Sequence, residues 1–209
     1  MIDNIIKTYY EIKDLIKERI AQINNIFFDD SSLLYELFFC ILTPQSKARN
    51  AGKIVDLLKD KISIINDFDK LSNELRFVRF KNHKAAYIQY AYKKFKPYGN
   101  ISLKEIIEEY KDDIIKLRDI IVKEVKGIGY KEASHFLRNI GLGKNIAILD
   151  RHILDIMLKL KIIDKIPNLS RKEYLRLELL LKDFSLSINI PLDELDFLFW
   201  YIKTKDIYK

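Results

Sequence analysis

Apolar residues recur at three- and four-residue steps along almost the whole chain, and that period confines it to packed helices. Ile5, Ile6, Tyr9, Ile12, Leu15, Ile16 and Ile20 lay one apolar stripe along a first helix. Leu33, Leu37, Phe38 and Ile41 mark a second, with Ser31 or Ser32 as its N-cap and Pro44 near its end. The same period predicts helices over residues 46–59, 82–95, 103–110, 114–125, 131–140, 151–160, 171–184 and 192–202. Strand alternation bounded by hairpin turns is missing, and residues 75–80 come nearest to it. With six Gly and four Pro in 209 residues, collagen-like and linker-rich architectures are excluded. The expectation is an all-α fold.

Helical blocks lie on both sides of the Lys126–Gly129 turn, which suggests two helical lobes, about 30–125 and 126–209. Helix 1–25 is expected to join the C-terminal lobe. Cys40 is the single cysteine, so an internal disulfide and any cysteine-ligated zinc or iron–sulfur centre are excluded. No apolar run approaches the ~18 residues of a membrane span, and the opening residues lack the cleavage site of a secretory signal. A soluble, intracellular protein is expected, with no membrane partner and no protein-held metal.

The charge balance is 37 Lys+Arg against 30 Asp+Glu, a net +7 that suits a polyanionic partner. From Leu75 to Lys104 there is no acidic residue. Arg76, Arg79, Lys81, Lys84, Lys93, Lys94, Lys96 and Lys104 alternate there with Phe77, Phe80, Tyr87, Tyr90, Tyr92, Phe95 and Tyr98. Cations among aromatics suit phosphate neutralisation and base stacking; the plainer alternative is a helix with its rings in the core and its lysines in water. A shorter acid-free stretch, residues 37–55, carries Lys47, Arg49 and Lys53 around the turn Thr43-Pro44-Gln45-Ser46.

The segment VKGIGYKEASHFLRN, residues 125–139, carries the most chemistry. An apolar helix ends, a Gly127-Ile128-Gly129 turn follows, and a second helix begins near Tyr130. Glycines there permit positive φ and let a polyanion approach the backbone. The N–H groups and positive dipole end of the second helix then suit a phosphate, although a plain αα-hairpin turn uses glycine too. Lys131 falls in the first turn of that second helix, where the dipole disfavours a cation. A partly desolvated site adds to this and favours the neutral amine, the form that attacks a sugar carbon and makes a Schiff base. The alternative is a solvent-facing lysine. Asp150, nineteen residues on in AILDRHILDIM, precedes a helical period and reads as an N-cap. A carboxylate can cap and also face a developing oxocarbenium ion.

These residues carry a resemblance. GIGYKEASHFLRNIG with AILDRHIL is similar to the helix-hairpin-helix DNA glycosylase superfamily, whose members include endonuclease III. More narrowly it resembles the archaeal-type 8-oxoguanine DNA glycosylase/AP lyases, also found in some bacteria. CILTPQSKA, VRFKNHKAAYI and the ending LDELDFLFWYIKTKDIYK match in order, so the likeness runs over most of the chain. The resemblance implies two lobes with the active site in the cleft between them. It makes Lys131 the nucleophile on C1′ of a flipped nucleotide, and Asp150 the group that stabilises the sugar cation and manages the lysine proton. The Schiff base then permits β-elimination and strand nicking.

Further roles come from the same resemblance. Backbone around Gly127 and Gly129 would hold a DNA phosphate, with a monovalent cation on its carbonyls and no other cofactor. Trp200 would stack on the extruded base, unless it is a core residue of the last helix. Lys209 would help recognise the base: 8-oxoguanine carries a hydrogen on N7 where guanine has a lone pair. A buried acceptor facing that lone pair costs about 1–3 kcal/mol. Gln45 and Arg49 are expected DNA contacts, while His135 and His152 read as structural. The implied partner is double-stranded DNA with 8-oxoguanine or an abasic site, met by a cytoplasmic, nucleoid-associated monomer. The competing readings are a related enzyme for oxidised pyrimidines or abasic sites, and a non-catalytic DNA-binding module.

Overall fold

A computed structural model describes residues 1–24, 29–95 and 101–207, and all regular secondary structure among them is helical. The α-helices are α1 (Ile2–Asn24), α2 (Asp30–Leu42), α3 (Ala48–Asp60), α4 (Phe68–Glu74), α5 (Lys81–Phe95), α6 (Leu103–Tyr110), α7 (Ile114–Glu124), α8 (Tyr130–Asn139), α9 (Arg151–Lys159), α10 (Arg171–Ser187) and α11 (Leu192–Thr204). The expected all-α class holds, and the helices expected after Pro44 end within three residues of their anticipated limits. Among the described residues, no helix is long and apolar enough to cross a membrane.

Two local expectations are corrected, and one helix was not anticipated. The N-cap of α2 is Asp29, not Ser31 or Ser32: its carboxylate accepts from the Ser32 N–H at 2.7 Å, and a charged acceptor also suits the positive helix end. Residues 75–80, the nearest approach to a strand, form a 3-10 turn over Leu75–Phe77 and then place Phe80 at φ +57°. Helix α4 escaped the periodic pattern because seven residues span under two turns. It is started by Asp67, whose side chain accepts from the Lys70 N–H at 3.1 Å.

The chain divides into two compact units, Phe27–Phe136 and a discontinuous one of Met1–Ile26 with Leu137–Lys209. In the first, α2 is buried along nearly all its length and packs against α3, α5 and α6. In the second, α1 packs on α11, which also receives α9 and α10. Tyr9 of α1 donates its hydroxyl to Glu194 of α11 at 2.7 Å. Burial and that carboxylate push the Tyr9 phenol well above its ordinary pKa, so it remains a donor.

Candidate active site

The turn between α7 and α8 is built on α5. At Gly127 the backbone takes φ +84°, and a Cβ there would overlap the Tyr87 ring. The missing Cβ thus makes room for an aromatic side chain of α5, whereas the sequence had suggested room for a polyanion. Lys126 lies over the Tyr90 ring at 4.4 Å, and Lys94 pairs with the Glu124 carboxylate while donating to the Glu124 carbonyl at 3.2 Å. These aromatics of the basic stretch therefore support the hairpin. Across it, buried Arg118 donates to Ser134 Oγ at 3.0 Å and Tyr130 donates to Asp119 at 2.8 Å, tying α7 to α8.

Gly129 is the N-cap of α8, since its carbonyl accepts from the Ala133 N–H at 2.9 Å. Glu132, three residues on, returns its Oε2 to the Gly129 N–H at 3.3 Å, the reciprocal half of a capping box. Lys131 therefore occupies the second helical position, with its side chain 24% exposed and Nζ 3.7 Å from Glu132 Oε1. The helix end repels the ammonium and the Glu132 carboxylate attracts it. Lys84 of α5, itself buried, adds a second positive charge within electrostatic range.

Asp150 belongs to the other unit and is the N-cap of α9, accepting from the Ile153 N–H through Oδ1 at 2.9 Å. The residues before it are buried, and α10 fixes them. Tyr174 donates to the Ala147 carbonyl at 2.7 Å and accepts from the Leu149 N–H at 3.1 Å, while Glu178 accepts from the Ala147 N–H at 2.8 Å. Replacing Tyr174 with phenylalanine leaves two buried backbone groups unpaired and should cost about 1–3 kcal/mol. Thermal unfolding measures that loss.

In the same unit His152 meets Trp200 edge-on, with ring centroids 5.8 Å apart, and Trp200 is half-buried. Neither Trp200 Nε1 nor His152 Nδ1 has a hydrogen-bond partner among the described residues. His135 is buried against Phe39. Gln45 and Arg49 are exposed in the Phe27–Phe136 unit, Gln45 with φ +54°. Lys209, Lys96 and Tyr98 lie outside the described residues. No cluster of three or more His, Cys, Asp or Glu that could hold a metal ion is found among the described residues.

A family model described as 8-oxoguanine DNA glycosylase matches residues 16–190, the hairpin, Lys131 and Asp150 included. The chain belongs to this family. The 8-oxoguanine DNA glycosylase/AP lyase of Fusobacterium nucleatum is 42% identical over 211 residues, covering 99% of this chain and 97% of the relative. Among solved structures, the Methanocaldococcus jannaschii 8-oxoguanine glycosylase/lyase in complex with 15mer DNA containing 8-oxoguanine superposes with a TM-score of 0.83. It is 35% identical and covers 98% of this chain and 99% of that one. The 8-oxoguanine DNA glycosylase of Thermotoga maritima gives a TM-score of 0.87 at 27% identity, over 100% and 98% of the two chains.

Within this glycosylase chain, four supporting residues were not singled out from the sequence for the parts they play: Glu132, Lys84, Tyr174 and Glu178. Only Glu132 had a signal, a carboxylate three residues after an N-cap glycine. Lys84 is one of many lysines, and Tyr174 acts on residues more than twenty positions away.

Proposed function

We propose that this glycosylase excises 8-oxoguanine from double-stranded DNA and then nicks the strand at the resulting abasic site. The observation that carries the reading is a lysine at the second position of the helix after the Gly127-Ile128-Gly129 turn, in a chain matching glycosylase/lyases over nearly its full length. The Lys131 amine attacks C1′ of the extruded nucleotide, and the C1′–N9 electron pair leaves with the base. The amine then loses a proton, and its nitrogen lone pair opens the sugar ring: the C1′–O4′ electron pair goes to O4′, which takes up a proton, and a protonated imine is left between C1′ and Lys131. Removal of a C2′ proton then sends electrons toward the imine and expels the 3′ phosphate. Asp150 holds one carboxylate oxygen on its helix end, and the second supplies negative charge to the sugar cation and an acceptor for the lysine proton.

In the same reading Trp200 stacks on the flipped base, with an N–H that has no partner among the described residues, and Lys209 helps tell 8-oxoguanine from guanine. Backbone near Gly127 and Gly129 holds a phosphate, a monovalent cation sits on the hairpin carbonyls, and Gln45 and Arg49 touch DNA. The enzyme works as a monomer on the nucleoid without any other cofactor. The chemistry requires Lys131 and Asp150 to act on one nucleotide.

Borohydride trapping on matched duplexes carrying 8-oxoguanine, guanine, thymine glycol or an abasic site tests this. An adduct that forms with 8-oxoguanine over guanine and thymine glycol, and needs Lys131, is the expected result. Trapping only on thymine glycol or the abasic duplex would move the substrate to another lesion. Binding without any adduct would make the chain a non-catalytic module. Removing Lys209 should narrow the preference for 8-oxoguanine over guanine while sparing a preformed abasic site; equal losses on both would sink its role.

A further inference from the structure

Lys84 is 4% exposed, yet its side chain ends in an ammonium ion. Its Nζ donates to the Leu42 carbonyl at 2.7 Å, the Pro44 carbonyl at 2.8 Å and Ser46 Oγ at 3.0 Å. An ammonium has three protons, and three acceptors stand around this one. Ser46 Oγ also accepts from the Arg79 N–H at 3.0 Å, and the Asn50 side chain donates to the Phe77 carbonyl at 3.0 Å. Two separate turns, 43–46 and 78–80, are therefore fastened to each other through Ser46 and to α5 through Lys84.

Each of these turns holds a non-glycine residue in the left-handed region, Gln45 at φ +54° and Phe80 at φ +57°. Such conformations persist only where the surroundings impose them. Both side chains point away from the core: Gln45 is exposed, and Phe80 is 52% exposed with Arg79 over its ring at 5.3 Å. An amide, a phenyl ring and a guanidinium are groups that contact bases, stacks and phosphates.

We infer that Lys84 is a positioning residue for DNA engagement, its buried ammonium pinning the 43–46 and 78–80 turns in the form that presents Gln45 and Phe80 to the duplex. The inference rests on the reading that this chain acts on DNA. Charge-assisted hydrogen bonds are about twice as strong as neutral ones, so the pin is strongest while Lys84 keeps its proton. Burial lowers its pKa from the ordinary 10.5 to about 8. From α8, the Glu132 carboxylate favours the charge and the Lys131 ammonium opposes it, while the turn offers only carbonyls and a hydroxyl.

The sign separates a pin from a general support. Above pH 8 the folded protein releases this proton while the unfolded chain keeps it to about 10.5, so the unfolded state binds more protons. Stability arising from this group therefore rises with pH over that interval, although the turns lose their charged donor. Binding and stability should move in opposite directions.

The test compares wild type with Lys84→Met from pH 6.5 to 9.5, by fluorescence anisotropy on a duplex carrying a tetrahydrofuran abasic analogue, with melting temperatures measured alongside. At pH 7 the substitution should weaken binding about tenfold. The wild-type advantage should shrink above pH 8 while its melting temperature gains on the variant. Equal binding by two folded proteins at every pH would overturn the inference, as would a tenfold gap that ignores pH. If Lys84→Met fails to fold, Ser46→Ala, which removes the shared acceptor but keeps the charge, decides instead. It should weaken binding several-fold, and unchanged binding would overturn the pin. Wild type that neither binds the analogue nor excises 8-oxoguanine would bring down the functional reading itself.

Discussion

Replacing Lys131 with glutamine should abolish borohydride trapping and lower strand cleavage by roughly three orders of magnitude or more, as expected when the proposed covalent nucleophile is removed. Glutamine keeps the length and helix-forming character of the side chain. It has no amine to form an imine, so the loss falls on chemistry. The fold should survive. The capping interaction between Glu132 and the Gly129 N–H does not involve Lys131, and the hairpin stays fastened by Tyr130 to Asp119 and Arg118 to Ser134. Binding to an 8-oxoguanine duplex, measured by anisotropy, should change little. Retained lyase activity would remove Lys131 from the nucleophile's place.

Asp150→Asn should slow base release by about 10²–10³-fold, the range seen when one preorganised electrostatic contact to a transition state is lost. This substitution isolates charge from capping. Asparagine caps helices about as well as aspartate, so the bond from the Ile153 N–H persists through the amide oxygen. The melting temperature should hold nearly constant while single-turnover excision collapses. Cleavage of a preformed abasic site should suffer less, because no glycosidic bond needs breaking. A near-normal excision rate would leave Asp150 as a helix cap alone.

The two positions were legible for different reasons. Asp150 announces a helix start in the sequence, and the structure makes it one; what the pattern could not supply was its support. Tyr174 reaches Ala147 and Leu149 through one hydroxyl, a contact with no periodic trace. Lys131 was legible through the turn before it, yet the sequence assigned Gly127 a different spatial reason from the one found. Its bare α-carbon admits the Tyr87 ring, which requires knowing that α5 passes beneath the hairpin. The long helices were plain because their apolar stripes repeat over many turns, whereas α4 is too short to repeat. Lys84 was hidden by abundance: composition counts lysines without saying which of them is buried.

The division of the chain also bears on how it is made. Helix α1 is synthesised well before α11, yet the surface that buries Ile5, Tyr9, Ile12 and Ile16 lies largely on α11, with Tyr9 and its partner Glu194 185 residues apart. The Phe27–Phe136 unit is continuous and can condense while translation proceeds; the other must wait for α11. Until then α1 carries an uncovered apolar stripe. Ribosome stalling or premature termination before α11 should therefore yield a chain with one finished half and one adhesive end, a natural client for chaperones and proteases.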